Sequence, residues 1–264
     1  LGTKKFGHIG TLDPIATGVL PIAIGDATKM IPFVELSALP LKEYLFSCQF
    51  GFETDTLDIT GRETARTDII PTQDMVLSVL PKLKGDVKQA PPLISAVHIG
   101  GARAYQLARQ GKHVEIPPRP VHIYFVQFLG REGDSWHFRM RCSTGTYVRS
   151  VARDMAKMCG TVATVDMIRR TYTTGFAIEN SVKLDFLEKV FNNNGDLGEY
   201  LRPVDYGLGD IPVLQLDGKD ADFYRNGGFV RVDMYDGMFR IYTGEVFIGI
   251  GVVYDGVLHP KRTI

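Results

Sequence analysis

Between Trp136 and Cys142 the chain alternates strictly: Trp136, Phe138, Met140 and Cys142 fall on one side, His137, Arg139 and Arg141 on the other. A period of two belongs to a β-strand with one face in an apolar core and the other toward water, because successive side chains of a strand point to opposite faces. This strand predicts a sheet whose outer face is cationic. After it, Ser143 to Thr146 (STGT) offers N-cap candidates for a helix from about Tyr147 to Cys159, with Gly160 as its C-cap. Arg149, Arg153 and Lys157 share a face of that helix at i, i+4, i+8. Arg149 then sits in the first turn, where the macrodipole disfavours a cation by roughly 0.3–1 kcal/mol. Either an anion compensates it, a carboxylate or a phosphate ligand, or it is a surface arginine reaching into solvent.

Elsewhere, residues 73–84 place Met75, Val76, Val79, Leu80 and Leu83 at helical spacing, with Pro81 kinking or ending the helix. Residues 102–110 read as another helix stopped by Gly111, and QAPPLISAV before it reads as extended because of Pro91 and Pro92. Past Pro203, short apolar runs alternate with the turns Asp217-Gly218, Gly227-Gly228, Asp236-Gly237 and Asp255-Gly256, the texture of a small antiparallel barrel. This predicts two domains, 1–205 and 206–264.

The 264 residues are 44% hydrophobic, enough for a sizeable core, and exclude collagen-like, disordered and disulfide-scaffold classes. Cys48, Cys142 and Cys159 have neither disulfide nor metal spacing and read as reduced, buried residues of a cytoplasmic protein. No apolar run approaches the ~20 residues of a bilayer span, and no secretory signal is read. The formal net charge is zero, which as a total argues against a nucleic-acid partner. Resolved along the chain it does not: residues 81–170 carry 15 basic and 6 acidic side chains, between acidic flanks. Such a segment is either a polyanion footprint or chance clustering on a solvated surface.

The segment Lys5 to Lys29 is punctuated by Gly7, Gly10, Gly18 and Gly25, and Asp13 precedes Pro14, which pushes it out of the α region. An aspartate held in such a loop serves as general base, nucleophile or binding group; the alternative is an Asx-turn. The carboxylates of DTLD (Asp55 to Asp58) lack calcium-loop or phosphatase spacing and read as turn and cap chemistry. The six histidines form no zinc pattern, and the glycines match neither the phosphate-loop nor the dinucleotide fingerprint, so neither metal nor nucleotide cofactor is expected.

GHIGTLDPIATGVLPIAIGDATK (Gly7 to Lys29) closely resembles the signature of the TruB family of tRNA pseudouridine synthases. The resemblance continues, in order, through KEYLFSCQFGFETDTLDITG, QAPPLISAVHIGGARAYQLARQG, RCSTGTYVRSVARDM and IRRTYTTGF, about 170 residues in all. The C-terminal part resembles the PUA-like RNA-binding domain of bacterial members.

That resemblance implies an α+β fold: a mixed, mainly antiparallel sheet flanked by helices, plus a small PUA-like β-barrel. It implies an isomerase that converts uridine 55 in the T-loop of tRNAs to pseudouridine, by base flipping and aspartate-dependent cleavage and re-formation of the glycosidic bond. Asp13 falls at the catalytic aspartate, which attacks the base, attacks the sugar or removes a proton from it. Tyr44 falls at the catalytic aromatic that stacks on the target base, with proton transfer as a second implied role, and Arg149 at the catalytic arginine paired with the aspartate. Ile168 matches the apolar wall of the uracil pocket, which Gly10, Thr11 and Leu12 also line. His8 and Lys29 match RNA contacts near the flipped nucleotide, and Arg141, Arg153, Arg169 and Arg170 are expected to bind RNA. No cofactor, metal or membrane is implied; the partner is the T-arm of tRNA, and a cytoplasmic monomer is expected.

The family's opening strand and Lys-Pro-containing segment are absent, and the start at Leu1 predicts upstream sequence. His98 stands where many members have Lys, and Val165 where a His is common. A non-catalytic tRNA-binding or folding factor is the alternative; an aspartate-dependent hydrolase lacks a clear second carboxylate or metal.

Overall fold

The computed structural model describes residues 2–36, 41–95, 98–99, 102–103 and 116–264. Its contacts gather into two compact units, one formed by the described parts of 12–19 and 41–173, the other by those of 1–11, 20–40 and 174–264.

The first unit is built on one sheet in the order β6-β2-β5-β4-β3, with β1 running parallel to β6 and the remaining pairs antiparallel. Its strands are β1 (Ala16–Gly18), β2 (Leu41–Phe50), β3 (Gly85–Gln89), β4 (Arg119–Glu132), β5 (Ser135–Ser143) and β6 (Ala163–Thr173). The alternation read between Trp136 and Cys142 is β5, at the centre. Met140 lies opposite Tyr44 and Phe138 opposite Phe46, so the inner face continues across β2. Phe46 and Phe138 stack at 5.2 Å, and Phe50 meets Trp136 edge-on at 5.4 Å.

Among the described residues that precede β6 lie the helices α1 (Ile31–Glu35), in the second unit, and α2 (Gln73–Val79) and α3 (Val148–Met158), in the first. The Thr72 hydroxyl caps α2 by accepting from the Met75 amide at 3.2 Å, and Pro81 falls in the 3₁₀ turn Leu80–Leu83 that ends it. Met75 itself is exposed; Val76, Val79, Leu80 and Leu83 join Val151, Ala152, Met155 and Ala156 of α3 in closing the inner face. Each large side chain so buried contributes roughly 1.5–3 kcal/mol.

The start of α3 corrects one expectation. No STGT side chain caps it: the N-cap is Tyr147, and Gln89 of β3 serves it from across the sheet. The Tyr147 amide donates to Gln89 Oε1 at 2.8 Å, and Gln89 Nε2 donates to the Tyr147 carbonyl at 3.2 Å. One carboxamide supplies both a donor and an acceptor, which a hydroxyl of the turn would have to divide. At the other end Gly160 adopts φ +70° and its amide reaches the Lys157 carbonyl at 3.0 Å, as expected. Of the helix expected over 102–110, the described part, Ala102–Arg103, is a short strand paired with His98–Ile99; the rest lies outside the described residues.

In the second unit, Ile9, Met30, Val34, Leu208, Ile211 and Ile250 form one apolar cluster, and Phe6–His8 pairs antiparallel with Ile22–Ile24. Helix α4 (Leu184–Asn192) has no buried residue. The C-terminal sheet runs β7-β9-β10-β11-β8, from β7 (Val213–Gln215), β8 (Val230–Arg231), β9 (Gly237–Thr243), β10 (Val246–Tyr254) and β11 (Val257–Thr263). Asp255 (φ +53°) and Gly256 (φ +70°) make the tight turn between β10 and β11. Two departures from the expected barrel appear: β7 pairs with β9 in parallel, and Asp217-Gly218 opens a helix, α5 (Gly218–Arg225), rather than a hairpin. Ala221 and Tyr224 of that helix are buried in the sheet's core. Asp205 is tied to β9, accepting from Arg240 Nη1 at 2.8 Å and the Tyr242 hydroxyl at 2.5 Å.

Candidate active site

Asp13 lies in a turn made by backbone alone: its carbonyl accepts from the Ala16 amide at 2.9 Å across Pro14. The carboxylate is thereby left for Arg149, whose Nε donates to Asp13 Oδ2 at 2.9 Å. The rest of the guanidinium is equally committed. Nη1 donates to the Thr56 carbonyl at 2.8 Å and lies 3.4 Å from Asp58 Oδ2; Nη2 donates to the Ile94 carbonyl at 3.2 Å. The Arg149 side chain is 3% exposed and that of Asp13 27%, so the pair presents its carboxylate, not its cation, to solvent. This supplies the anion expected for a cation in the first turn of α3.

Asp58 is the residue that sequence reasoning placed too modestly. One of its oxygens does make turn chemistry, accepting from the Thr56 hydroxyl, the Thr60 amide and the Thr60 hydroxyl. The other is left for Arg149. Two threonines flanking an aspartate at ±2 were the available signal, since they saturate one oxygen and make burial of the carboxylate affordable. The Val165 amide donates to the Leu57 carbonyl, and the Ile59 amide to the Val165 carbonyl, both at 3.0 Å, which pins this loop to β6. Leu57, between them, is held at φ +61°, a conformation disfavoured for a branched side chain.

Tyr44 stands on the inner face of β2, 7% exposed. Burial, and then the neighbouring Cys142, push its phenol well above the ordinary range; Arg170 beside it acts in the opposite sense, and Asp13 is near enough to be felt. Ile168, 2% exposed, lies opposite Phe46 on one side and Ala16 on the other. The Thr17 hydroxyl donates to the Ile168 carbonyl at 3.4 Å. Strand β1 thus fastens the aspartate loop to the strand that carries Ile168.

The remaining expected residues divide. Leu12 precedes Asp13 in the same unit, partly buried; Gly10 (φ +69°), Thr11, His8 and Lys29 belong to the other unit. His8 is exposed, and Lys29 pairs with Asp26 at 3.1 Å. Arg141, with Arg139, grips Glu43 on the outer face of the sheet: Arg139 Nη2 donates to Oε1 at 2.9 Å and Arg141 Nη2 to Oε2 at 3.0 Å. Arg153 is mostly buried, donating to Asp154 and to the Ala90 carbonyl. It lines a cavity of about 610 Å³ together with Lys82, Lys88 and Lys157. Arg169 and Arg170 are consecutive on a strand and so face opposite ways. Arg169 is exposed, whereas Arg170 is fully buried, which corrects its expected place at the RNA surface.

Comparison with known proteins identifies the family. The model of the TruB family pseudouridylate synthase N-terminal domain matches residues 1–148, and that of the pseudouridine synthase II TruB C-terminal domain matches 212–264, the PUA-like sheet. The chain is 39% identical to the tRNA pseudouridine synthase B of Bradyrhizobium diazoefficiens over 98% of its own length and 77% of the relative's. It is 40% identical to that of Novosphingobium aromaticivorans over 99% and 86%. Among solved structures it resembles a Cbf5-Nop10-Gar1 complex, with TM-score 0.71 and 20% identity over 98% of this chain and 76% of that one, a likeness of fold. By its sequence along nearly its whole length, the chain is a member of the TruB family of pseudouridylate synthases.

Proposed function

We infer that the protein isomerises uridine to pseudouridine at position 55 in the T-loop of tRNAs. The observation that carries this reading is the Asp13 carboxylate held at 2.9 Å by a buried arginine and near the Tyr44 phenol, on a loop whose exit strand pairs with the strand of Ile168. A base stacked in a folded loop must be extruded, at a cost of a few kcal/mol, and held by stacking and edge contacts. A tyrosine such as Tyr44 returns ~1–3 kcal/mol per stacked base. The C1′–N1 bond then breaks and a C1′–C5 bond forms, the C5 proton leaves and N1 acquires one. Atoms and electrons balance without an oxidant or cosubstrate. Asp13 is the group that acts on the nucleotide, Arg149 fixes its rotamer, and Ile168 with Leu12 encloses the base.

In this reading residues 1–205 carry catalysis and 206–264 form an RNA-binding module of a monomer working in the cytoplasm. Among the described residues no helix is long and apolar enough to cross a membrane. Arg141, Arg169, His8 and Lys29 meet phosphates, and the Arg153 cavity, with its lysines, adds cationic surface.

The test maps the product. An unmodified tRNA transcript treated with the protein, then with a carbodiimide that marks pseudouridine, should show one reverse-transcription stop, at position 55. Stops elsewhere and none at 55 would replace the T-loop assignment; tRNA binding without any stop would favour the non-catalytic reading.

A further inference from the structure

Arg170 heads the fully buried side chains by size among the described residues. A guanidinium withdrawn from water costs several kcal/mol unless its donors are engaged. Its Nε donates to the Val19 carbonyl at 2.9 Å, and the Val19 amide donates back to the Arg170 carbonyl at 2.9 Å. The guanidinium also hydrogen-bonds the Tyr44 phenol. In the ladder Arg170 lies opposite Tyr44 of β2 on one side and Gly18 of β1 on the other. Gly18 has φ +104°, and a Cβ there would come within 2.1 Å of the Arg170 carbonyl oxygen, so β1 lies as close to Arg170 as a backbone can. The contacts of Arg170 therefore join the exit of the aspartate loop to the strand that presents the stacking tyrosine.

We propose that Arg170 is a positioning residue of the isomerisation: it locks the loop carrying Asp13 and the ring of Tyr44 into one register, so that carboxylate and stacked base meet at reacting distance. The inference rests on the isomerase reading above. Both fastenings are directional. Nε serves the loop carbonyl, and donation into the phenol oxygen turns the phenol's own proton away from Arg170. Lysine keeps the charge and can reach one partner; methionine fills the space and reaches neither.

The test measures steady-state kinetics and tRNA binding for wild type, Arg170→Met, Arg170→Lys, Tyr44→Phe and the double variant Tyr44→Phe/Arg170→Met. Arg170→Met should bind tRNA within about twofold of wild type while kcat falls on the order of 100-fold, the scale of an ångström-sized misplacement. Arg170→Lys should recover part of that loss. In the Tyr44→Phe background Arg170→Met should cost less than in wild type, because part of its effect passes through the phenol oxygen. Wild-type kcat in Arg170→Met, strict additivity in the double variant, or a loss that only follows the folded fraction overturns the role. Should the methionine variant fail to fold, a folded Arg170→Lys with wild-type kcat overturns it equally, and one with lowered kcat at unchanged affinity supports it. A wild type that does not convert tRNA contradicts the isomerase reading, whereas an active wild type matched by Arg170→Met contradicts the positioning role alone.

Discussion

Each nitrogen of Arg149 has its own partner, and two carboxylates of different exposure share its charge: Asp13 toward solvent, Asp58 within. This division gives them different work. Asp58 holds the arginine so that the arginine can hold Asp13. Asp58→Asn keeps the shape and the threonine bonds but removes the inner charge, and truncating one side of a buried pair leaves the other undercompensated. Turnover in that variant should fall roughly tenfold at unchanged tRNA affinity, read as kcat against KM. At this scale a proline and a helix start each singled out one residue, Asp13 and Arg149, but left its role open, and the pairing of the two came from the family resemblance. Arg170 was not: two adjacent arginines look alike in a sequence, and only the register against Tyr44 and Gly18 decides which one turns inward.

Among the elements, β5 was fully legible, since an alternation of apolar and cationic residues has one structural meaning. Its cationic face holds an unread acid. Glu43 of β2 is clamped by Arg139, Arg141 and Thr171. Burial pushes its carboxyl upward, but the hydrogen bonds from Arg139 and Thr171 with the arginine charges outweigh it, and the balance lies below the ordinary value of 4.5. A carboxyl that titrates lower when folded adds stability that is complete above pH 4.5 and fades as pH falls through the folded value. The melting temperature should therefore drop in acid below about pH 4.5, and Glu43→Gln should flatten that part of the profile; an unchanged profile would contradict the clamp. Helix α5 was illegible because eight residues opened by Asp-Gly carry the signals of a turn, and only burial of Ala221 and Tyr224 reveals the helix. The Gln89 clamp on α3 was hidden because it joins residues 58 positions apart.

For the whole molecule, zero net charge conceals a basic middle segment, and the structure turns part of its charge inward. Arg149 and Arg170 are buried and Arg153 is paired with Asp154, whereas Arg139 and Arg141 share Glu43 from nearly half-exposed positions. In the proposed reading the surface left to RNA includes Arg141, Arg169 and the lysines of the Arg153 cavity. Affinity for tRNA should fall linearly in log–log with salt, and Lys82→Glu with Lys157→Glu should lower the slope by about one to two, at ~0.7–0.9 per phosphate lost. A slope unchanged by both would remove that cavity from the interface. The central claim is that the Asp13 carboxylate performs the isomerisation, and release of tritium from uracil C5 of an unmodified tRNA tests it most directly. Wild type should release one tritium per tRNA labelled only at position 55 and folded Asp13→Asn essentially none; equal release by both would contradict the account.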